Sequence, residues 1–532
     1  MHRTAARLLL SLSTKLALTI VAAGHAPAAA AEAEPPPAPW SLPFLTAPPA
    51  DVARAAVAHR GAVGERGYGC IRVEHDVRFE PDGRAVETMR SICHFTQAEA
   101  VQRDGVETIH YAPSVQERPA IRGRVITPDG QAVPFDTTSA VESGAHPTGD
   151  GAVLHDLRAL RLPLPRLSVG AVVELERVVA RHVGPVPVPD LRVPFPTGLS
   201  IERYAITFDA PASAGLSVGT NLPEGTFDTQ TRGERVIHRL SAGNTGRVAE
   251  PAASGGASAP AAAAPKDLLA HASGWRNWQH AATWYGAQVD AQIAAGPAPA
   301  DLLAGLPRAE GRGKNALDVL ERLGERLAPR LRYVSIAVGA SGLIPTPPAE
   351  ALQRGFADCK DMATLLVSAL RSLGFEAHVA LLTTSGHAEV PDAPAILALF
   401  DHAIVAVRTP QGLRFVDLTR PDAPPEALPD AAAGRRVLVA APTTRALTVT
   451  PMPTAAENLL RAEATLDLTN PREWVRRERM LARGQLVVPI RERMAKASNV
   501  VFHTMSRPSA ESNGSCPRPA RTSRCPCGMR FG

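Results

Sequence analysis

Residues 251–265 consist only of Ala, Pro, Gly and Ser. A run like this has no large apolar side chain with which to repay the entropy of ordering its backbone, so it reads as a linker. At 532 residues the chain is too long for one hydrophobic core. The linker, taken as residues 251–268, divides it into two kinds of pattern. Before it, from about residue 61 to 250, short alternating runs are separated by turn residues. After it, apolar residues recur at helical spacing between further strands.

In the first region, Ile71-Arg72-Val73-Glu74 and Asp76-Val77-Arg78-Phe79 alternate and lead into the turn Pro81-Asp82-Gly83-Arg84. Arg124-Val125-Ile126-Thr127, Pro128-Asp129-Gly130 and Ala132-Val133-Pro134-Phe135 give a second hairpin signal. Val172 to Glu176 and Tyr204 to Phe208 add further strands. Short strands at this spacing predict a β-sandwich. Cys70 and Cys93 flank the first turn and fall nearly opposite one another, so a cross-strand disulfide is open to them. His75 and His110 stand alone, as surface or structural histidines do.

The start of the chain reads as an export signal over residues 1–31. Arg3, Arg7 and Lys15 precede an apolar core at Leu16 to Ala23, and Ala28 to Ala31 are small enough for cleavage. That core is shorter than the roughly 20 residues of a membrane span. The expected location is periplasmic or secreted, without stable membrane insertion after cleavage. Residues 32–60 are a Pro/Ala-rich linker with a short helix near its end. A formal charge of +5 and no basic run interleaved with aromatics give nucleic-acid binding no support.

In the second region, 269–450, a helix is expected after Ser273 as its cap, with Trp275, Trp278, Ala282 and Tyr285 on one face as core. A second helix covers about 316–327, and Leu331 to Ile336 reads as a strand. Then comes Asp358-Cys359-Lys360-Asp361, opening a helix whose apolar face is Met362, Leu365, Leu366, Ala369, Leu370 and Leu373, with Gly374 as its stop. Asp358 is the N-cap and Asp361 a weak form of the capping-box acid. Cys359 thus sits in the first turn, where the helix dipole and unpaired N–H groups favour an anionic sulfur. A buried packing cysteine is the plainer alternative.

Strands at Ala377 to Leu382, Asp401 to Val407 and Leu413 to Leu418 follow. With Pro410 and Gln411 as the centre of the turn, Asp417 falls opposite Ile404, diagonal to His402 on the same face. Such neighbours have Cβ atoms about 7 Å apart, within hydrogen-bonding reach. A bulge at Gly412 would shift this register by one. Cys359, His402 and Asp417 therefore form a candidate nucleophile, base and orienting acid.

The stretches Tyr333-Val334-Ser335-Ile336, Pro347-Pro348-Ala349-Glu350, Asp358-Cys359-Lys360-Asp361, Phe400-Asp401-His402 and Val416-Asp417-Leu418-Thr419 resemble the bacterial transglutaminase-like superfamily. The resemblance spans roughly 270 to 440. It implies a papain-like α+β domain, a peptide or protein amide as substrate, and catalytic roles for Cys359, His402 and Asp417. The β-rich region is similar to a domain of unknown function that often precedes this module in exported bacterial proteins. Ala357 stands where the family often has glycine, and Leu418 where it often has proline. Some eukaryotic relatives use calcium. No EF-hand-like acidic loop occurs here, so no metal or other cofactor is expected. The rival reading is a non-catalytic peptide-binding or structural envelope protein that keeps the fold. Residues 451–505 look like the start of a further, shortened β-rich domain with a strand at 462–468 and a helix at 488–496. Residues 506–532, rich in Pro, Ser, Arg, Gly and Cys, look like a disordered tail.

Overall fold

The computed structural model describes residues 42–58, 66–145, 153–196, 199–222, 225–243, 269–384, 390–419, 424, 427–470, 473–488 and 490. The expected export signal, the 251–268 linker, most of the 488–496 helix and the 506–532 tail lie outside them. The fold is α+β and strand-rich.

An eight-stranded sheet organises the first region. Its order runs Phe227–Arg232, Arg235–Gly243, Ser200–Pro211, Tyr68–Phe79, Ala85–Phe95, Val172–Arg181, Ala120–Ile126 and Ala132–Pro134. Strand Tyr68–Phe79 shows why the alternation matters. Val73, Val77 and Phe79 are buried, while Arg72, Glu74, Asp76 and Arg78 point away. The outward face carries ion pairs such as Arg90–Asp76 at 2.6 Å and Arg90–Glu176 at 2.7 Å. Cys70 pairs directly with Cys93, and a disulfide joins them.

The short helix expected at about residues 51–60 is Pro49–Ala58, whose Val52, Ala53 and Ala56 pack on Ile71, Ile92, Ile126 and Val172. Its apolar residues are small but face one way, which suffices when a sheet supplies the other half of the core. The strand Leu269–Ser273, assigned to the second region, lies between Asp190–Pro194 and Ser217–Thr220 of the first. Its Ala270 and Ala272, with Val193, help cover the large sheet.

The second region is built on a five-stranded sheet ordered Gly412–Val416, His402–Thr409, Ala377–Leu382, Arg436–Val439 and Thr448–Val449. Alternate residues serve two cores: Ala403, Val405 and Val407 meet the helices, and Ile404 and Ala406 meet Phe415, Leu428 and Val437. The helix Cys359–Ser372 lies against this sheet and is buried almost throughout. Each of Leu365, Leu366 and Leu370 is at most 1% exposed and contributes about 1.5–3 kcal/mol by burial. The aromatic helix is Trp278–Ala295, and its cap is Asn277, accepting from the His280 N–H at 2.9 Å. Ser273 instead ends a strand and donates its hydroxyl to the carbonyl of Ala395. The expected 331–336 strand is two short pieces, Arg332–Tyr333 and Ser335–Ala337, which pair with different partners. Beyond residue 451, the strand expected at 462–468 is Leu460–Asn470, paired with Glu473–Ala482.

Candidate active site

Three local features place Cys359. Gly355 takes a left-handed conformation (φ 75°) and ends the helix Pro348–Arg354. Phe356–Ala357 then runs parallel to Arg332–Tyr333, with Ala357 beside Tyr333. Asp358 caps the next helix, its carboxylate accepting the Asp361 N–H at 3.1 Å. Cys359 is the first helical residue and is half-buried.

The cap is embedded in charge pairs. Asp358, Lys360 and Asp361 are all at most 5% exposed. Lys360 pairs with Asp358, and Arg354 with Asp361. Burial pushes the Asp358 carboxyl up, against the pull of the Lys360 charge. Asp361 does not complete a capping box. Its carboxylate accepts the Thr346 N–H at 2.7 Å and the Arg354 guanidinium, so it ties the cysteine helix to the segment before it.

His402 opens the strand His402–Thr409 and pairs with Leu382. The hairpin beyond it has the two-residue turn counted from the sequence: Thr409 faces Gly412, and Val405 faces Val416 without a bulge. Continuing that register sets Asp417 opposite Ile404. Nε2 of His402 lies 2.8 Å from Oδ2 of Asp417. A carboxylate only accepts, so Nε2 carries the proton and Nδ1 remains for other contacts. The other oxygen of Asp417 accepts the N–H and hydroxyl of Thr419 at 2.9 and 2.7 Å.

The thiol of Cys359 lies close enough to the His402 ring to act on its charge. Burial opposes charge on the imidazole. The hydrogen bond to Asp417, with the negative charges of Asp417 and Cys359, outweighs it and pushes its pKa up to about 10. Asp417 is held below the usual carboxylate range: its burial acts upward, but His402 and Thr419 prevail. The structure thus brings the three sequence-derived candidates together around one imidazole.

Sequence reasoning had picked out Tyr333 only within a family stretch. Partial burial raises its phenol pKa, as do the negative charges of Cys359 and Asp358, and its backbone pairs with Ala357, two residues before the thiol, yet it is 41% exposed. A separate groove of about 620 Å³ lies over the large sheet, lined by Asp76, Arg78, Arg90, Asp209 and Arg239. Asp76 and Arg90 pair with one another there, and no cysteine or serine lines it.

Residues 81–248 match the family model "Domain of Unknown Function with solved-structure structure (DUF3857)". No curated protein matches the chain. Among solved structures, the chain is similar to a candidate protease from Parabacteroides distasonis ATCC 8503. The TM-score is 0.56 and the identity 13%, over 73% of this chain and 72% of that one. An M1 zinc metallopeptidase from Deinococcus radiodurans aligns at a TM-score of 0.22 and 11% identity, over 40% of this chain and 43% of that one. The first of these likenesses is one of fold, and the second is too slight to carry an argument.

Proposed function

We propose that this chain is an exported thiol enzyme of the transglutaminase-like kind, acting on peptide or protein amides through Cys359, His402 and Asp417. One observation carries the reading: a single imidazole, His402, is bonded to a buried carboxylate and interacts electrostatically with a half-buried thiol in the first turn of a helix. Packing alone does not call for a cationic imidazole there.

In this reading the sulfur of Cys359 attacks the amide carbonyl, and the carbon–oxygen π electrons move onto oxygen. The backbone N–H of Cys359, which has no acceptor within its helix, is placed to stabilise that oxyanion. Collapse expels the amine, which takes a proton from Nδ1 of His402. The thioester is then attacked by water or by a second amine, which returns a proton to Nδ1 and frees the thiol. Asp417 holds the ring in the required tautomer throughout. The shared fold with a candidate protease supports a peptidase-like role.

The test is iodoacetamide labelling of the full chain across pH, read by mass mapping at Cys359. An imidazolium-paired thiol reacts below pH 7, whereas an ordinary one has a pKa of about 8.5. The expected result is fast labelling at pH 6 that His402→Ala abolishes without loss of fold. An ordinary thiol profile in the unaltered protein would overturn the enzymatic reading in favour of a binding module.

A further inference from the structure

Asp190 belongs to the β-rich region, on the strand Asp190–Pro194, yet its carboxylate ends beside the segment that delivers His402. Oδ2 accepts the indole N–H of Trp275 at 2.7 Å and the backbone N–H of Leu397 at 2.9 Å. Oδ1 accepts the N–H of Ala398 at 3.2 Å. Those two backbone groups open the short 3₁₀ turn Leu397–Leu399. That turn closes with the Phe400 N–H on the Leu397 carbonyl at 3.0 Å, and His402 starts its strand two residues later.

We propose that Asp190 is a positioning residue for His402, acting across the two regions by anchoring the 3₁₀ turn from which the His402 strand departs. The inference rests on the enzymatic reading above and adds a role for the region that precedes the thiol domain.

Three features support it. The partners of the Asp190 carboxylate are N–H groups, and hydrogen bonds to an ionised acceptor are about twice as strong as neutral ones. Burial, against the pull of the three N–H groups, leaves its pKa at about 6, so the ionised form predominates at neutral pH. Two other supports lie before the turn, further from His402. Ser273 bonds the Ala395 carbonyl at 2.5 Å, and Trp278 bonds the Asp392 carbonyl at 2.7 Å. Between that turn and His402, Asp401 is tied to the neighbouring strand through the Leu382 carbonyl, Thr383 and Thr384, so Asp190 fixes the start of the turn and Asp401 the step from it into the strand. Nδ1 of His402 must meet the sulfur within hydrogen-bonding distance, and displacements of about 1 Å cost two orders of magnitude in such arrangements.

Asp190→Ala and Asp190→Asn test this in the full chain. The asparagine keeps the volume and one acceptor oxygen, so it serves if the alanine variant does not fold. The measurement is the pH profile of iodoacetamide alkylation at Cys359, alongside a melting curve. At pH 7 an ordinary thiol is only about 3% ionised. The expected result is an alkylation rate at pH 7 lowered at least about tenfold by the alanine and less by the asparagine, with the profile moved toward that of His402→Ala. A lowered melting temperature with an unmoved profile in both variants would leave Asp190 as a structural residue and overturn the proposal. An ordinary profile in the unaltered protein would instead sink the enzymatic reading, and this inference with it.

Discussion

Replacing Asp417 by Asn keeps the shape of the side chain and removes the charge that faces His402. The imidazole stands at about 10 in the folded protein against an ordinary 6.5. That separation corresponds to about 5 kcal/mol of preference for the charged ring. His402 is only 12% exposed, so solvent screening takes little from this figure. Because the folded value lies above the unfolded one, the stabilisation is complete below about pH 6.5. It is lost as the pH rises through about 10. Asp417 acts at the other end: its depressed pKa contributes above its ordinary value and fades as the pH falls through its folded one. If Asp417 supplies about half of the preference, the variant's ring stands near about 8, and the wild-type advantage over Asp417→Asn is about 2–3 kcal/mol up to about pH 8. It should then shrink as the pH rises from about 8 to about 10. Urea unfolding of both proteins at intervals from pH 6 to 10 measures that difference, and titrations common to both cancel. A difference that stays level across this range would refute the electrostatic account of the pair.

Two other perturbations follow from the same geometry. Asp358→Ala removes a cap worth about 1 kcal/mol and leaves Lys360 buried without its carboxylate, a loss of about 3–5 kcal/mol. Adding Lys360→Met should recover most of it in urea unfolding, and a single variant within about 1 kcal/mol of wild type would contradict the pairing. Changing Cys70 and Cys93 together to Ala opens a link across 23 residues and should cost about 3 kcal/mol of stability, while alkylation at Cys359 stays unchanged.

The cysteine helix and the His402 hairpin were legible in the sequence because both are governed by near neighbours. Asp358 meets Asp361 three residues on, and the Pro410-Gln411 turn alone fixes which residue faces which. The misreadings all occur where a distant partner decides. Ser273 has the chemistry of a cap, but Ala395 takes its hydroxyl. Asp361 has the spacing of a capping box, but Thr346 and Arg354 hold its carboxylate. Asp190 lies 207 residues before Leu397, and nothing in the local pattern around it points there.

The first region meets both strands that lead into the candidate site. On one side Val153–His155 runs parallel to Ser335–Ala337, directly after Tyr333, and the Ser114 hydroxyl accepts the Gly339 N–H at 2.9 Å. On the other side Asp190 anchors the turn before His402. A tethered module joined only through its linker would need neither contact. Backbone pairing on one flank and a buried carboxylate on the other tie two segments of the second region to the first. The cysteine helix needs no such help, because its own cap and the core beneath it hold the sulfur in place. On the proposed role of Asp190, the β-rich region bears on the imidazole, which is carried by a strand end rather than by the buried helix.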